Sequence, residues 1–373
     1  MDSTGPRCNI CVLPRSAQAI DFDGDGTCML CSRLGRARAI PQDAAPDQSS
    51  VEALIEGIRQ QGKGRPFDCV VGLSGGRDSS YLLYLLVRKH QLRCLAAYYR
   101  TPFTCDTIDA NVRRLVSKLD VPLVEMDIDQ ESHRQVAREL VLLWAKKPDA
   151  VIANLTCAPC KLINLELFRI AAENKVRTIV AGANVFEAVQ VAAGQSRTTT
   201  VIPGRSAARQ LSFLTQIQKM LMVVRRGLSL LGAYPGLWRY IPLGIRASVL
   251  YIGPHTPFLR LRYPNIQPVE YFYHAEWDEA GGQAALREMG WELPAGFIST
   301  WKADCTFAEL KNFMFHETMG MTYMDAMLSN MVRAGILSRD EALSRIEVEG
   351  QVCQERLADA CRVLELPDGF YRA

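Results

Sequence analysis

Between Val51 and residue 187, short apolar runs alternate with amphipathic stretches whose apolar positions recur every three to four residues. The apolar runs predict four strands, at Asp68–Leu73, Cys94–Tyr99, Leu123–Asp127 and Thr178–Ala183. The stretches between and after them predict helices near Ser79–His90, Thr107–Leu119, Arg134–Lys147 and Ile163–Asn174. Strands that alternate with helices are typical of a parallel sheet with helices on both faces. The pattern therefore predicts an α/β fold for this part of the chain.

Two further blocks flank this α/β region. Residues 1–40 are rich in Cys and lack helical periodicity, and a linker rich in Pro, Ala, Asp and Ser follows from Ile40. Residues 188–373 combine a basic segment with a largely helical tail. The expected organisation is a Cys-rich module at 1–40, a nucleotide-binding domain at 51–187 and a basic, helical substrate or partner domain at 188–373.

In the helical tail, the sequence predicts a pair of helices and the residue at which the second one begins. The stretch Leu328–Leu343 predicts two helices joined at Gly335. Ser338, with Glu341 three residues on, is the pattern of a capping box for the second helix.

Composition narrows the class of protein. The chain has 373 residues, of which 48% are hydrophobic and 22% charged, and this excludes a disordered, collagen-like or coiled-coil protein. The most apolar part of the basic segment, Met220–Trp238, is interrupted by Arg225, Arg226 and Pro235, so no membrane-spanning helix is expected. The first residues lack the apolar core of a signal peptide, and twelve Cys then favour metal or redox chemistry over disulfides. The expected location is cytoplasmic.

The formal net charge of +3 conceals a strongly basic segment. Residues 188–269 contain nine Arg, one Lys and no Asp or Glu, with aromatic residues interleaved. Such a segment suits an anionic partner, such as a nucleotide sugar, a phosphorylated glycan or RNA. The alternatives are a helical hairpin whose apolar stretch Leu211–Leu231 packs on the core or forms a homodimer face, and contact with an anionic membrane surface.

Four cysteines near the start have metal-ligand spacing. Cys8 and Cys11 form one C-x2-C pair, and Cys28 and Cys31 form a second one after sixteen residues. A two-residue gap lets both thiolates of a tight turn face one ion, and two such turns complete a tetrahedral site. Zn²⁺ in a closed structural site is the predicted occupant, because a segment this short cannot fold on its own apolar burial. Four unrelated free cysteines and an iron–sulfur cluster are the alternatives.

A loop rich in Ser and Gly joins the first predicted strand to its helix. Gly75 and Gly76 let the backbone approach an anion closely, and Ser74 and Ser79 add hydroxyl donors. The start of the helix supplies unpaired N–H groups, which makes this a candidate phosphate site. Asp78, in the first turn, is a candidate ligand for a Mg²⁺ that bridges phosphates.

The end of a later strand lies at the same edge of the predicted sheet. Open α/β sheets bind ligands outside the carboxyl ends of their strands. Gly182 and Asn184 follow the strand at Thr178–Ala183 and are candidates to line the nucleotide or substrate. Glu187 is a weaker candidate, since a solvated loop acid explains it equally well.

The string SGGRDS after a buried strand resembles the PP-loop of the ATP pyrophosphatases. The resemblance implies a twisted, HUP-like parallel sheet and an enzyme that cleaves ATP to AMP and pyrophosphate by adenylating a substrate oxygen. It implies phosphate binding by the loop, with adenine near Tyr98 at the end of the second strand. The loop residues concerned are Ser74, Gly75, Gly76, Arg77, Asp78 and Ser79.

A second Cys pair, Cys157 and Cys160, stands at the predicted start of a helix. That position favours thiolate chemistry or metal ligation, and the pair is expected to face the ATP site. A redox dithiol, two ligands of a cluster and plain packing are the three alternatives. Cys305 could complete a three-thiolate set, since sulfur-inserting relatives with a PP-loop use three Cys to hold a [4Fe–4S] cluster. These residues and Asp78 are the candidate catalytic residues.

The N-terminal string Cys8–Pro14 and Ile20–Cys31, together with the phosphate loop and the tail Met331–Leu343, resembles the N-acetyl sugar amidotransferase family of bacterial surface-polysaccharide synthesis. That resemblance implies ATP-dependent conversion of an acetamido group to an acetamidino group, with ammonia from a separate glutaminase. The pair Cys157 and Cys160 instead resembles the PP-loop thiolases of tRNA. Nitrogen and sulfur therefore both stay open as the attacking atom, whereas adenylation is common to both.

Overall fold

The computed structural model describes residues 5–17, 20–36, 48–184, 186, 256–367 and 369–370, with isolated positions at 221, 225, 232 and 238. Glu187, the stretch Leu211–Leu231 and nearly all of the basic segment before residue 256 lie outside the described residues. In the described ranges no helix has the length and apolar character needed to cross a bilayer.

The centre of the fold is a sheet of five parallel strands in the order β3-β2-β1-β4-β5. The strands are β1 (Cys69–Leu73), β2 (Cys94–Tyr98), β3 (Leu123–Glu125), β4 (Thr178–Ala181) and β5 (Gln267–Glu270). The first four confirm the predicted strands, and with the helices on both faces they confirm the α/β fold. β5 was not predicted, because it is a four-residue edge strand that contains Pro268 and shows no apolar alternation.

The helices before β5 are α1 (Met29–Arg36), α2 (Gln48–Gly62), α3 (Arg77–Tyr84), α4 (Asp106–Leu119), α5 (Gln130–Lys146), α6 (Ala150–Leu155), α7 (Leu162–Glu173) and α8 (Pro257–Arg262). Four of them, α3, α4, α5 and α7, correspond to the predicted helices, whereas α1 lies in the Cys-rich module, where no helix was expected. α3 continues as a π-helical turn over Leu85–Lys89, and a short 3₁₀ turn at Pro159–Lys161 leads into α7. The helices after β5 are α9 (Glu279–Glu288), α10 (Phe307–Met319), α11 (Tyr323–Arg333), α12 (Arg339–Glu349) and α13 (Gln354–Val363).

The side-chain period of two along each strand explains the two helical layers. Val70 and Leu95 point to one face and are buried with Phe168 of α7. Val71 and Ala96 point to the other face, where α3 and α4 cover them. Both faces of the central strands are therefore buried, as a parallel sheet requires.

The Cys-rich module packs on the C-terminal helices. Arg7 forms an ion pair of 2.6 Å with Asp325 of α11, and both side chains are at least nine-tenths buried. Ser16 donates to the carbonyl of Gly320 at 2.7 Å. The four cysteines share a third hydrophobic cluster with α5, α6, α10 and α13. The predicted division at residues 40 and 187 stays a prediction, although the C-terminal block adds β5 to the sheet.

The predicted helix pair in the tail is confirmed. α11 ends at Arg333, and Gly335 follows with φ of +71°. Ser338 and Glu341 form a reciprocal capping box at the start of α12, with Ser338 Oγ accepting from the Glu341 amide.

Candidate functional site

The loop between β1 and α3 has a backbone shape that requires glycine at its centre. Gly75 has φ of +84°, a conformation that residues with a Cβ rarely adopt. A Cβ built on Gly75 would lie 2.5 Å from Cγ2 of Ile108 and 3.0 Å from Cγ2 of Val112, both on α4. The loop therefore passes directly against α4, and an added methyl group would displace one of them.

The two serines of the loop face each other at the mouth of the sheet. Ser74 Oγ and Ser79 Oγ are 3.2 Å apart, and Ser74 Oγ accepts from the Gly76 amide at 3.3 Å. Gly76 is the residue before α3, and none of the described side chains caps the helix there. The first N–H groups of a helix have no acceptor within the helix, so this turn offers donors to an anion. The structure thus provides the phosphate cradle that the sequence predicts, and phosphate binding itself stays a prediction.

Asp78 has a different environment from the one expected of a metal ligand. Its carboxylate accepts from Arg77 Nε at 2.8 Å, Asn184 Nδ2 at 3.2 Å and Trp277 Nε1 at 3.3 Å. Three donors from α3, the end of β4 and the region after β5 therefore converge on it. Its described contacts make Asp78 an anchor of the loop, and its role as a Mg²⁺ ligand stays a prediction.

Arg77 is buried beside Asp78. Its guanidinium lies 4.1 Å from the ring centroid of Trp301 and 4.9 Å from that of Trp277. Nη1 donates to Glu279 at 2.6 Å and to Thr300 at 2.8 Å. With only 3% of its surface exposed, this side chain is committed to the protein interior, which disagrees with its expected place in the phosphate site.

Gly182 and Asn184 lie beside the loop, as the edge of the sheet predicted. A Cβ on Gly182 would lie 3.3 Å from the carbonyl oxygen of Asp78, and Asn184 binds the Asp78 carboxylate directly. Tyr98 is different: its side chain is completely buried in the core beneath α3 and α4. Because β2 directs the Tyr98 side chain into the core, only its backbone at the end of the strand could contact the nucleotide, and the position of adenine near Tyr98 stays a prediction.

A segment far along the chain covers the loop and was not predicted. Trp291 Nε1 donates to the carbonyl of Gly75 at 3.0 Å. A Cβ on Gly76 would lie 3.1 Å from Cγ of Asp304. The only sequence signal for this contact was the position of Asp304 next to Cys305. Through these contacts the residues around 291–305 reach the phosphate loop.

The structure brings Cys157, Cys160 and Cys305 into one electrostatic group next to that contact. Burial raises the pKa of Cys160 to about 12, and the nearby Cys157 adds to the rise. Burial also raises the pKa of Cys305, with Cys160 and Asp304 as further causes. All three side chains are half-buried, and Cys305 directly follows Asp304, the residue that approaches Gly76.

Cys157 differs from the other two in having a cationic partner. Lys311 Nζ donates to its Sγ at 3.3 Å. Burial raises the pKa of Cys157, but the charge and hydrogen bond of Lys311, with the charge of Lys161, outweigh it and hold the pKa below its usual value. Cys157 therefore deprotonates more readily than an ordinary thiol.

Cys160 is connected to a buried His–Tyr pair that the sequence analysis missed. His133 Nε2 lies 3.6 Å from Cys160 Sγ, and His133 Nδ1 lies 2.8 Å from Tyr99 Oη. Burial lowers the pKa of His133 to about 4, so the imidazole is neutral near pH 7 and carries one proton for its two contacts. This pair fixes the orientation of the Cys160 side chain.

The four N-terminal cysteines form a closed sulfur cage. Their Sγ atoms all lie within 4.8 Å of one another, and Cys11 and Cys28 are 3.8 Å apart. A tetrahedral zinc ion with Zn–S bonds of about 2.3 Å holds its sulfurs about 3.8 Å apart, so the donor set and spacing fit this metal. Within the described ranges this is the one group of three or more metal-binding side chains so close together. A cluster of several irons would hold its thiolates farther apart.

Comparisons with known proteins do not assign the chain to a family. No protein-family model and no curated protein matches the chain. Among solved structures, the chain is similar to an NMN synthetase from Francisella tularensis, with 18% identity and a TM-score of 0.27, over 38% of this chain and 56% of that one. It is also similar to the U34-tRNA thiolase NcsA from Methanococcus maripaludis with its [4Fe–4S] cluster, with 14% identity and a TM-score of 0.31, over 98% of each chain. At TM-scores this low, neither likeness carries an argument about function.

Proposed function

We propose that this protein is an ATP pyrophosphatase that adenylates an amide or carbonyl oxygen of its acceptor. The observation that carries the proposal is the loop Ser74–Ser79, held at the carboxyl edge of a parallel sheet with a positive-φ glycine at its centre and two serine hydroxyls 3.2 Å apart. The acceptor oxygen attacks the α-phosphorus, the bond from that phosphorus to the bridging oxygen breaks, and pyrophosphate leaves. The acceptor carbon then carries AMP as a good leaving group.

The loop contributes through position and electrostatics. The hydroxyls of Ser74 and Ser79 and the amides at Gly75 and Gly76 would bind the phosphates. Asp78 holds this arrangement through Asn184 and Trp277. Mg²⁺, which ATP-dependent enzymes of this kind require, would neutralise the charge that develops on the departing pyrophosphate.

For the second step, we favour sulfur as the attacking atom. Cys305 lies far along the chain from the pair Cys157 and Cys160, yet both members of the pair contribute to raising its pKa. Three half-buried thiols are the number of protein ligands that a [4Fe–4S] cluster with one open iron would use. Such a cluster, when bound, would supply a site for the sulfur that replaces the adenylated oxygen.

The second candidate is amidotransfer to a nucleotide-linked N-acetyl sugar, with ammonia from a glutaminase partner. What favours it is the resemblance of the sequence to that family at the Cys-rich module and at Met331–Leu343, two regions that contact each other through Arg333 and Arg339. In this version the N-terminal cage holds a structural Zn²⁺, as it does in the first. In the sulfur version, the acceptor could be an RNA instead of a sugar.

Metal analysis on protein purified without oxygen separates the two versions. The sulfur version expects iron together with zinc, a brown colour, and loss of iron but not zinc in Cys305→Ser. Cys361→Ser, a buried cysteine on α13, is the matched control and should keep both metals. Protein that is colourless, holds zinc alone and forms an amidine from labelled ammonia would favour amidotransfer. If calorimetry shows no association with ATP and Mg²⁺, adenylation fails, and both versions fail with it.

A further inference from the structure

A single carboxylate faces the phosphate loop from outside it. Asp304 lies so close to Gly76 that a Cβ on the glycine would be 3.1 Å from Asp304 Cγ and 3.2 Å from Oδ2. Gly76 precedes the first turn of α3, where the N–H groups point towards the expected phosphates. The carboxylate of Asp304 therefore borders the anion site.

Among the described residues, the Asp304 carboxylate has no hydrogen-bond or ion-pair partner. The other acids around the loop are all committed. Asp78 accepts from three side chains, and Glu279 pairs with Arg77 and Arg345. The positive charge of Lys311 is directed to Cys157 Sγ. Asp304 is thus the acid near the loop that is left to bind a ligand.

An unpaired carboxylate at the edge of a polyphosphate site is unfavourable without a cation. Like charges a few ångströms apart repel, and the energy is considerable where water is partly excluded. A divalent cation between them converts this repulsion into attraction on both sides. Mg²⁺ suits the position, because it prefers oxygen ligands and is usually bound by one or two carboxylates plus substrate phosphates.

We infer that Asp304 is a protein ligand for the Mg²⁺ of bound MgATP. The inference rests on the proposed ATP site. It adds a residue with which the protein would bind the Mg²⁺ that accompanies ATP. Because Cys305 directly follows Asp304 in the sequence, one short segment would carry both this metal ligand and one of the three thiols. Asp78 serves the same site indirectly, by holding the loop in shape.

The test is calorimetry of ATP binding to the whole protein, with Mg²⁺ and with EDTA, for the wild type and Asp304→Asn. Removing the carboxylate takes away a metal ligand, so MgATP should bind about fivefold more weakly or worse. The same change takes away a repulsive charge, so metal-free ATP should bind more tightly by a similar factor. Glu292→Gln is the matched control: its side chain is 66% exposed and pairs with Arg114, and its neighbour Trp291 contacts the loop.

Opposite shifts in Asp304→Asn, with neither in Glu292→Gln, would support the assignment. Equal affinities of Asp304→Asn and the wild type in both buffers would overturn it, and so would weaker binding in both. Mn²⁺ spectroscopy gives a second readout, since the signal of protein-bound Mn²⁺ with ATP should change in Asp304→Asn. Failure of the wild type to bind ATP in either buffer would instead remove the proposed function.

Discussion

The side-chain amide of Asn184 donates to the carboxylate of Asp78 at 3.2 Å and so joins the end of β4 to the first turn of α3. Asn184 is buried, and its Oδ1 accepts from the amide of Phe186 at 2.8 Å. The residue therefore uses both ends of its amide to connect the edge of the sheet to the loop. This makes the shape of the phosphate site depend on β4 as well as on β1.

Asn184→Ala should destabilise the protein by about 1–3 kcal/mol, because it leaves the partly buried carboxylate of Asp78 with one donor fewer. MgATP binding should weaken as well, since Asp78 then holds the loop less firmly. Thermal unfolding and calorimetry measure the two effects. Asn174→Ala is the control, because Asn174 binds only a carbonyl of its own helix end, that of Ile170 at 2.9 Å. Unchanged ATP affinity in Asn184→Ala would show that the contact does not shape the site.

The sequence could predict what depends on local pattern. Four strands, the helices between them, the Ser338 capping box and the Cys8–Cys31 cage all follow from spacing over a few residues. The burial of Arg77 between Trp277 and Trp301 could not be predicted, since it joins residues about 200 positions apart. The contact of Asp304 with the loop was missed for the same reason.

Gly75 should be required for two reasons: a Cβ at this position would collide with α4, and the backbone has a positive φ. In Gly75→Ala, the new Cβ would meet Ile108 and Val112 while the backbone keeps φ of +84°, and the expected loss of stability is about 2–5 kcal/mol. Gly64→Ala measures the effect of the positive φ alone. Gly64 has φ of +73°, and a Cβ built on it would have no atom within 4 Å. Denaturant unfolding should show a cost of only about 1 kcal/mol there. Equal costs at the two positions would mean that α4 does not restrict the loop.

The sulfur cage should support the C-terminal helices as well as the N-terminal module. Arg333 of α11 donates from Nη1 to Cys11 Sγ at 3.2 Å, and Arg339 donates to the carbonyl of Cys8 at 3.2 Å. Donors to metal-bound sulfur stabilise the ligand set, so Arg333→Ala should weaken zinc retention about tenfold or more. Competition with a chromogenic chelator measures this. Arg362→Ala, an exposed arginine on α13 paired only with Asp359, is the control.

Removal of the metal should lower the melting temperature of the whole chain, since the cysteines share a buried cluster with α10 and α13. If the metal-free protein melts as the untreated protein does, the cage has no structural role.

Acidification should destabilise the protein through His90, at the end of the π-helical turn after α3. Its Nε2 lies 2.8 Å from Tyr271 Oη, and burial, with the charges of Lys89 and Arg59, lowers its pKa below the usual 6.5. Between the lowered folded pKa and about pH 6.5, the unfolded chain binds the proton more readily than the folded chain does. The stability contributed by neutral His90 is therefore present above about pH 6.5 and is lost as the pH falls through that value towards the folded pKa.

His90→Gln keeps a side chain that can bind Tyr271 but cannot titrate in this range, so its free energy of unfolding should fall less on acidification. Tyr271→Phe is the matched variant: it removes the hydroxyl but leaves His90 buried and titratable, so the acid-induced loss should persist. Urea unfolding at a series of pH values from about 7.5 to 5 gives both slopes. Identical slopes for His90→Gln and the wild type would mean that another group causes the acid sensitivity.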